Sequence, residues 1–439
     1  MKILTSTFQR DARVREMLRA VKRWTDAMSG RVTRAAAVLA LCGGHARIGC
    51  AQVAPARGGA LTLDDAIAAA MATNPDVRIA RAGLDSARAE TRIARAFPNP
   101  TLAGNPNTPY QYNVTIPVDI GPQRTYRVRA SELGLTASSA DAADVTRQIT
   151  AAVARAFYDV LLADARLVVV KRRRDNVFVL LQADSARARA GDIPERAITR
   201  SEVELARADA DVTRASIDQQ TSRLALQTLM GVITPDTALV MAGSLAYRPV
   251  TLQTDSLVAT ALRVRPDIAA IRTRELQSRA LIGAARAQLV PIPQLTMSRQ
   301  ITAPFDGGSY YSFGVSFDVP LFNQYGGQRD RATAGLEAAS FTRLRLEAQV
   351  RRDVLQAVGE LRAQRSLVER YEGGLLQKVS ANVSATRYAY ERGATSLLEV
   401  LDAVKDQQEI TLDYQAALHD YAISVRLLEA AVGSRLAGT

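Results

Sequence analysis

The chain has few of the side chains from which catalytic and metal sites are built. Only two of its 439 residues are cysteine and two are histidine. Cys42, Cys50 and His45 all lie within the first 50 residues, so the remainder has no cysteine pair and no histidine other than His419. It also lacks a phosphate-binding glycine loop, a dinucleotide fingerprint and an HExxH pair. These absences predict a protein that is not an enzyme and that uses neither a cofactor nor a metal site.

A strong charge of one sign is missing once the first 50 residues are set aside. The formal net charge is +12, but residues 1–50 contribute 10 basic and 3 acidic side chains. The other 389 residues hold 46 basic and 41 acidic side chains, closely intermixed. Such a balanced surface is a poor footprint for DNA or RNA, so the sequence predicts no nucleic-acid partner.

Residues 1–51 have the pattern of an export leader. Arg31 and Arg34 precede an apolar run over 35–42, and the small residues Gly49, Cys50 and Ala51 follow. This pattern predicts a signal sequence, with Met28 as an alternative start. Lipidation of Cys50 and a cytoplasmic tail remain open as alternatives. No later stretch is long and apolar enough to predict a transmembrane helix.

Five short motifs occur twice, in the same order, at offsets of 191 to 205 residues. The order predicts an internal duplication, with a first repeat at 61–250 and a second at 254–433. Each repeat is predicted to contain a helix, a pair of strands and a long helical hairpin. The matched segments are 74–77 with 265–268, 98–102 with 291–295, 114–116 with 315–317, 123–124 with 328–329, and 189–192 with 391–394.

Long helices are the firmest local prediction. Proline is absent between Pro122 and Pro194 and after Pro320, and aromatic residues make up only 5% of an alanine-rich chain. Apolar residues recur at alternating steps of four and three, which predicts nearly parallel packed helices. A helix over 124–190 would be ~100 Å long. The positions of the clearest repeat are 149, 153, 156, 160, 163, 167 and 170.

Two extended segments alternate between apolar and polar residues. One covers 112–118 and the other 309–320, and a short strand is also predicted over 101–104. Strict alternation suits a barrel wall with lipid on one side and water on the other. Because four strands cannot close a barrel, several copies would have to share it. A soluble hairpin and a cytoplasmic coiled-coil protein are the alternatives.

These features resemble the TolC-like outer-membrane factors of efflux and secretion systems. Residues 61–66 (LTLDDA) are similar to the opening helix of that family, and 319–322 (VPLF) to its strand-to-helix junction. Residues 390–403 (YERGATSLLEVLDA) resemble its second helix–helix turn. Residues 97–100 (FPNP) and 118–121 (VDIG) are similar to the CzcC-like heavy-metal branch.

The resemblance implies a mainly α-helical fold with a small β part. In a homotrimer, antiparallel hairpins would form an α-barrel through the periplasm, and four strands per chain would form a shared 12-stranded barrel in the outer membrane. The implied function is the passive exit duct of a tripartite efflux system. Its implied partners are a periplasmic adaptor, an inner-membrane pump of the RND type and outer-membrane lipid. A type I secretion duct and a non-channel coiled-coil protein are the alternative functions.

The resemblance also implies two sets of site residues. The hairpin tips would contact the adaptor, and a gate would close the periplasmic end of the tunnel. Thr395 stands where the family often has an arginine. Glu399 and Asp402 are three residues apart and share a helix face, so three copies would form rings of carboxylates that attract cations. The tip residues are Gly191, Asp192, Ile193, Gly393, Ala394, Thr395 and Ser396, and the gate residues are Tyr390, Glu399 and Asp402.

Overall fold

The computed structural model describes residues 60–105, 110–191, 195–236, 239–250, 253–301 and 308–436. All of them belong to the unit Pro55–Thr439. The predicted leader over 1–51, with Met28 and Cys50, lies outside the described residues. So do Asp192 and Ile193 of the first tip.

The first half of the described chain runs helix, helix, strand, strand, helix, helix. Thr62 caps the first helix by accepting a hydrogen bond from the Asp65 backbone N–H, and Asp65 returns the contact. That helix ends at Thr73, two residues before Pro75, because the residue before a proline is disfavoured in helical conformation, and Asn74 caps the next helix. The one helix predicted at the start of the first repeat is therefore two helices. The elements are α1 (Leu63–Thr73), α2 (Pro75–Arg95), β1 (Thr101–Asn105), β2 (Tyr110–Pro117), α3 (Pro122–Arg189) and α4 (Glu195–Leu229).

The second half has the same order of elements. Pro266 divides its opening helical stretch just as Pro75 divides the first. The elements are α5 (Thr254–Val264), α6 (Pro266–Ala287), β3 (Gln294–Ile301), β4 (Ser309–Ser316), α7 (Gly326–Arg370), a π-helical turn (Tyr371–Leu375), α8 (Leu376–Glu391) and α9 (Leu397–Val432).

The π-helical turn interrupts the second long helix, which the proline-free sequence predicts as continuous. Gly374 has φ +110° and ψ −1°, a conformation that glycine adopts readily and other residues do not. The adjacent Gly373 is also outside helical geometry. The Gly-Gly pair was the available signal for this break, because glycine is the poorest helix former after proline.

The apolar seam predicted on α3 is buried over its whole length. Val153 and Val160 are completely buried. They pack in a first core with α1 and the end of α4 through residues such as Ala66 and Leu226. A second core joins α5, α6, α7 and α9. Its fully or almost fully buried members include Val350, Val354, Leu361 and Leu428.

The four strands form one antiparallel sheet in the order β1-β2-β3-β4. Its register places apolar side chains in rows across one face and small or polar side chains across the other, which confirms the predicted alternation. One apolar row is Leu102, Val114, Met297 and Phe313, and the neighbouring row on the other face is Thr101, Thr115, Thr296 and Gly314.

The last strand is shorter than predicted. It ends at Ser316 rather than Pro320, because its partner β3 begins at Gln294, opposite Ser316. The residue before Gln294 is Pro293, which has no N–H to continue the ladder. The Pro293 carbonyl instead accepts a hydrogen bond from Val118 N at 2.8 Å.

None of the helices in the described part of the chain is both long enough and apolar enough to cross a membrane. Within the same residues, no three His, Cys, Asp or Glu side chains are grouped so that they could share a metal ion.

Replacing Gly231 by alanine should destabilise the first core. Gly231 has φ +69°, and a Cβ there would lie 2.8 Å from the Thr73 carbonyl oxygen, where α4 ends against α1. The left-handed backbone and the clash together should cost about 2 kcal/mol or more, measured as a lower midpoint of thermal unfolding. Gly335→Ala is the control, because that site lies in α7 with open space around it. It should raise the midpoint slightly. Equal midpoints for the two variants would contradict the packing described.

Candidate functional site

Both predicted hairpin turns end a helix on a left-handed glycine. Gly191 has φ +84° and Gly393 has φ +72°, and no atom would obstruct a Cβ at either position. The glycines are therefore required by backbone conformation and not by close packing. After the second turn, the Ala394 N–H donates to the Ala389 carbonyl at 2.8 Å. This bond closes the end of α8 before the chain reverses into α9.

The side chains after the second turn cap α9. The Ser396 hydroxyl accepts a hydrogen bond from the Glu399 backbone N–H. Thr395 donates to the Glu399 carboxylate, and Ser396 also approaches it, at 3.3 Å. The hydrogen bond from Thr395 is the main reason that the pKa of Glu399 lies below its ordinary value. Glu399 is thus ionised at neutral pH and has a capping role within its own chain.

Glu399 and Asp402 are both exposed in the first two turns of α9. Asp402 borders a groove of about 690 Å³ between α4 and α9. The α4 side of this groove carries Arg200, Arg207 and Arg214 at seven-residue intervals, interspersed with the acidic Glu204 and Asp211. Glu399 and Asp402 lie close together on α9. Among the described residues, neither of them forms a hydrogen bond with Tyr390, whose hydroxyl bonds Asp184 instead.

Tyr390 is buried and binds a carboxylate that the sequence reasoning missed. Its hydroxyl donates to Asp184 Oδ1 at 2.7 Å, and the Ser201 hydroxyl donates to Asp184 Oδ2 at 2.6 Å. Asp184 is completely buried. The Arg187 guanidinium lies 5.1 Å from the centre of the Tyr390 ring. These four residues, here called the Asp184 clasp, join α3, α4 and α8.

The surroundings of the clasp are apolar. Leu180, Val400 and Val404 form a third core cluster with Tyr390. Burial, followed by the hydrogen bond to Asp184, raises the pKa of Tyr390 to about 12. The phenol therefore stays protonated and remains a donor across the physiological range. One signal for Asp184 was available in the sequence, because it lies seven residues after Val177 on the seam of α3, where an apolar residue is expected.

Two arginines of the basic run at 171–174 contact α4. Arg173 forms an ion pair with Asp211 at 2.9 Å and Arg174 with Asp209 at 3.0 Å, both on α4. Together with the clasp, these pairs connect α3 to α4 in the part of the first hairpin nearest its turn.

Comparison with known proteins supports a transport role for this arrangement. The family described as outer membrane efflux protein matches residues 66–232 and 257–434, which is more than half of the chain. The cobalt-zinc-cadmium resistance protein CzcC of Cupriavidus metallidurans is 27% identical over 369 residues, covering 82% of this chain and 87% of that protein. The solvent efflux pump outer membrane protein SrpC of Pseudomonas putida is 29% identical, covering 80% of each.

The fold is also that of solved channels. The outer membrane protein VceC of Vibrio cholerae superposes with a TM-score of 0.72 at 19% identity, covering 85% of this chain and 96% of that one. The open state of the MtrE outer membrane channel of Neisseria gonorrhoeae gives a TM-score of 0.70 at 21% identity, covering 85% and 89%. The predicted fold class and family are confirmed: the chain belongs to the outer membrane efflux protein family and is an exit duct of the outer membrane.

Proposed function

We propose that three copies of this chain assemble into one duct through their sheets. The four-stranded sheet has two open edges, β1 and β4, and a sheet of four strands is too narrow to close on itself. Edge strands left open invite pairing with another chain. Three copies, each pairing β4 with β1 of the next, would supply a closed 12-stranded barrel. On this proposal the predicted repeats, 61–250 and 254–433, each contribute one strand pair and one helical hairpin.

The side chains of the sheet support its insertion in the outer membrane. The apolar face exposes Leu102 and Phe313 in the single chain, with 76% and 80% of their surface accessible. At the ends of the strands, Ile120 and Phe322 are also exposed, where the chain enters α3 and α7. Large apolar groups on one face and small polar groups on the other fit lipid outside and water inside. No interior packing in the described chain covers that apolar face.

The hairpins are proposed to extend into the periplasm and to meet an adaptor at their tips. Helix α3 alone has 68 residues, which corresponds to ~100 Å. The proposed adaptor contacts are Gly191, Asp192, Ile193, Gly393, Ala394, Thr395 and Ser396. The adaptor would connect the duct to an inner-membrane pump of the RND type, and the duct itself would consume no energy.

The Asp184 clasp is proposed to hold the periplasmic end closed. It links the first hairpin, through α3 and α4, to the second hairpin, through Tyr390 on α8. Opening would require the second hairpin to move away, leaving the buried Asp184 carboxylate with fewer donors. Because an unsatisfied buried charge is costly, the closed arrangement is favoured until an adaptor stabilises the open one. Glu399 and Asp402 would then line the opening as rings of negative charge.

The relatives suggest that cargo choice lies outside the duct. Proteins named for cobalt, zinc and cadmium resistance and for solvent or toluene efflux both match most of this chain. Metal cations and organic solvents differ in charge and polarity, yet the proteins named for exporting them are each similar in sequence to about four fifths of this chain. We therefore propose that the pump selects the cargo, while the acidic rings bias conduction towards cations.

The assembly can be tested by purifying the full chain from outer membranes. Light scattering, corrected for detergent, should give three times the mass of the single polypeptide in the same sample, and planar bilayers should show discrete conductance. The double variant Glu399→Gln, Asp402→Asn should move the reversal potential in a salt gradient towards zero, because six carboxylates are removed per trimer. Glu202→Gln, an exposed acid on α4, is the control and should leave it unchanged. A soluble monomer without conductance would overturn the proposal.

The clasp can be tested with Tyr390→Phe, which removes only the hydroxyl that donates to Asp184. Leaving one oxygen of a buried carboxylate without its donor should destabilise the closed state by about 1–3 kcal/mol. Single-channel recordings should therefore show an open probability at least several-fold higher. Tyr388→Phe is the matched control on the same helix, because Tyr388 is exposed and its ring lies under the Arg392 guanidinium. If both variants open as rarely as the parent chain, the clasp does not hold the gate.

A further inference from the structure

The two apolar cores are joined to each other by polar contacts between α3 and α9. Arg147 Nη1 donates to the Ala430 carbonyl at 2.6 Å, and Arg426 of α9 bonds Tyr158 of α3. Next to the Arg426–Tyr158 contact along the same two helices, His419 Nε2 lies 2.7 Å from Asp159 Oδ1. These polar contacts link α3 to α9 in addition to the apolar cluster of Leu180, Val400 and Val404 and to Leu245, which packs against both cores.

His419 is held between two carboxylates. Its Nδ1 lies 2.8 Å from Asp420 Oδ1 on α9, while its Nε2 faces Asp159 on α3. The residue is buried, with 8% of its surface accessible. An ionised carboxylate can only accept a hydrogen bond, and a neutral imidazole has only one N–H to donate. Only the protonated imidazolium can therefore satisfy both contacts at once.

The charges around His419 favour the same form. Burial opposes the positive charge, but the hydrogen bonds that the ring donates to Asp159 and Asp420 outweigh it, so the pKa of His419 lies above its ordinary value of 6.5. Arg166 of α3 and Asp413 of α9 line the same groove as Asp159, together with Asp211, Arg214 and Asp218 of α4. On α7, the charged side chains Arg365 and Glu369 interact electrostatically with Tyr421, which lies two residues after His419 on α9.

We propose that His419 is a proton-operated bridge between the two repeats, which holds α3 to α9 when the ring is charged and loosens when it loses a proton. The bridge is complete below the ordinary histidine pKa and is lost as the pH rises through the higher value of the folded chain. Histidine is the side chain whose titration falls in the range a periplasmic protein experiences.

The bridge has a consequence for conduction that depends on the proposed duct. Helices α3 and α9 belong to different hairpins, and their separation is the movement that opening requires. Deprotonation at mildly alkaline pH should therefore make opening easier, whereas mild acid should keep the hairpins together.

The first test measures unfolding of the purified full chain between pH 6 and pH 8.5. The parent chain should unfold roughly tenfold faster at pH 8.5, as expected for loss of a charge-assisted buried bond. His419→Gln should unfold at the faster rate at both pH values, because glutamine cannot donate to both carboxylates with a charge. In Asp159→Asn, the unfolding rate should also lose most of its dependence on pH. An unchanged pH dependence in His419→Gln would overturn the proposal.

A second test observes the imidazole directly and does not require the variant at His419 to fold. His45→Gln leaves His419 as the only histidine, so selective ¹³C labelling gives a single titrating ring by NMR. Its midpoint should lie above 6.5 and should fall when Asp159→Asn is added. A midpoint at or below 6.5 would overturn the bridge. A chain that titrates as expected but forms no pore would instead overturn the proposed duct and leave the bridge intact.

Discussion

Burial of one narrow apolar seam along very long helices is the constraint on which the rest of this structure depends. Helix α3 is far too long to be covered by a single partner, so it packs against α1, α2, α4, α6 and α9. Val153 and Val160 are buried completely only because the end of α4 and the short α1 close over them. The second half solves the same problem with Val350, Val354 and Leu428. Two separate cores, and hence two hairpins, are the result.

The groups with functional interest lie where this apolar pattern is interrupted. Asp184 occupies a seam position and is completely buried, yet both its oxygens accept hydrogen bonds. His419 occupies the seam between the cores and contacts a carboxylate at each ring nitrogen. Buried polar groups are costly unless satisfied, and when satisfied they select one arrangement over others. Both sites therefore give the joints between elements a definite geometry that apolar packing alone would not provide.

The two halves differ in the continuity of their long helices. Helix α3 continues without a break through residues 169–173, which correspond by the match of 189–192 with 391–394 to the π-helical turn at Tyr371–Leu375. There Tyr371 stacks on Tyr414 at 6.0 Å and Glu372 accepts a hydrogen bond from Tyr414. The first hairpin is additionally held by the ion pairs of Arg173 and Arg174. The asymmetry places the interrupted helix in the second hairpin, which carries the proposed gate tyrosine.

The sequence by itself determined the fold class, the long helices and the alternation of the strands, because these follow from periodicity, from the placement of proline and from the left-handed glycines at the turns. It could also indicate Tyr390, Glu399 and Asp402 through a family resemblance. Only the tertiary structure decided that Tyr390 binds Asp184 and Ser201, that Glu399 caps its own helix, and that β4 stops at Ser316. Those outcomes depend on which residues meet across helices or strands far apart in the chain, and local patterns carry no information about that pairing. The protonation of His419 is of the same kind, since one of its two carboxylates comes from a helix 260 residues away in sequence.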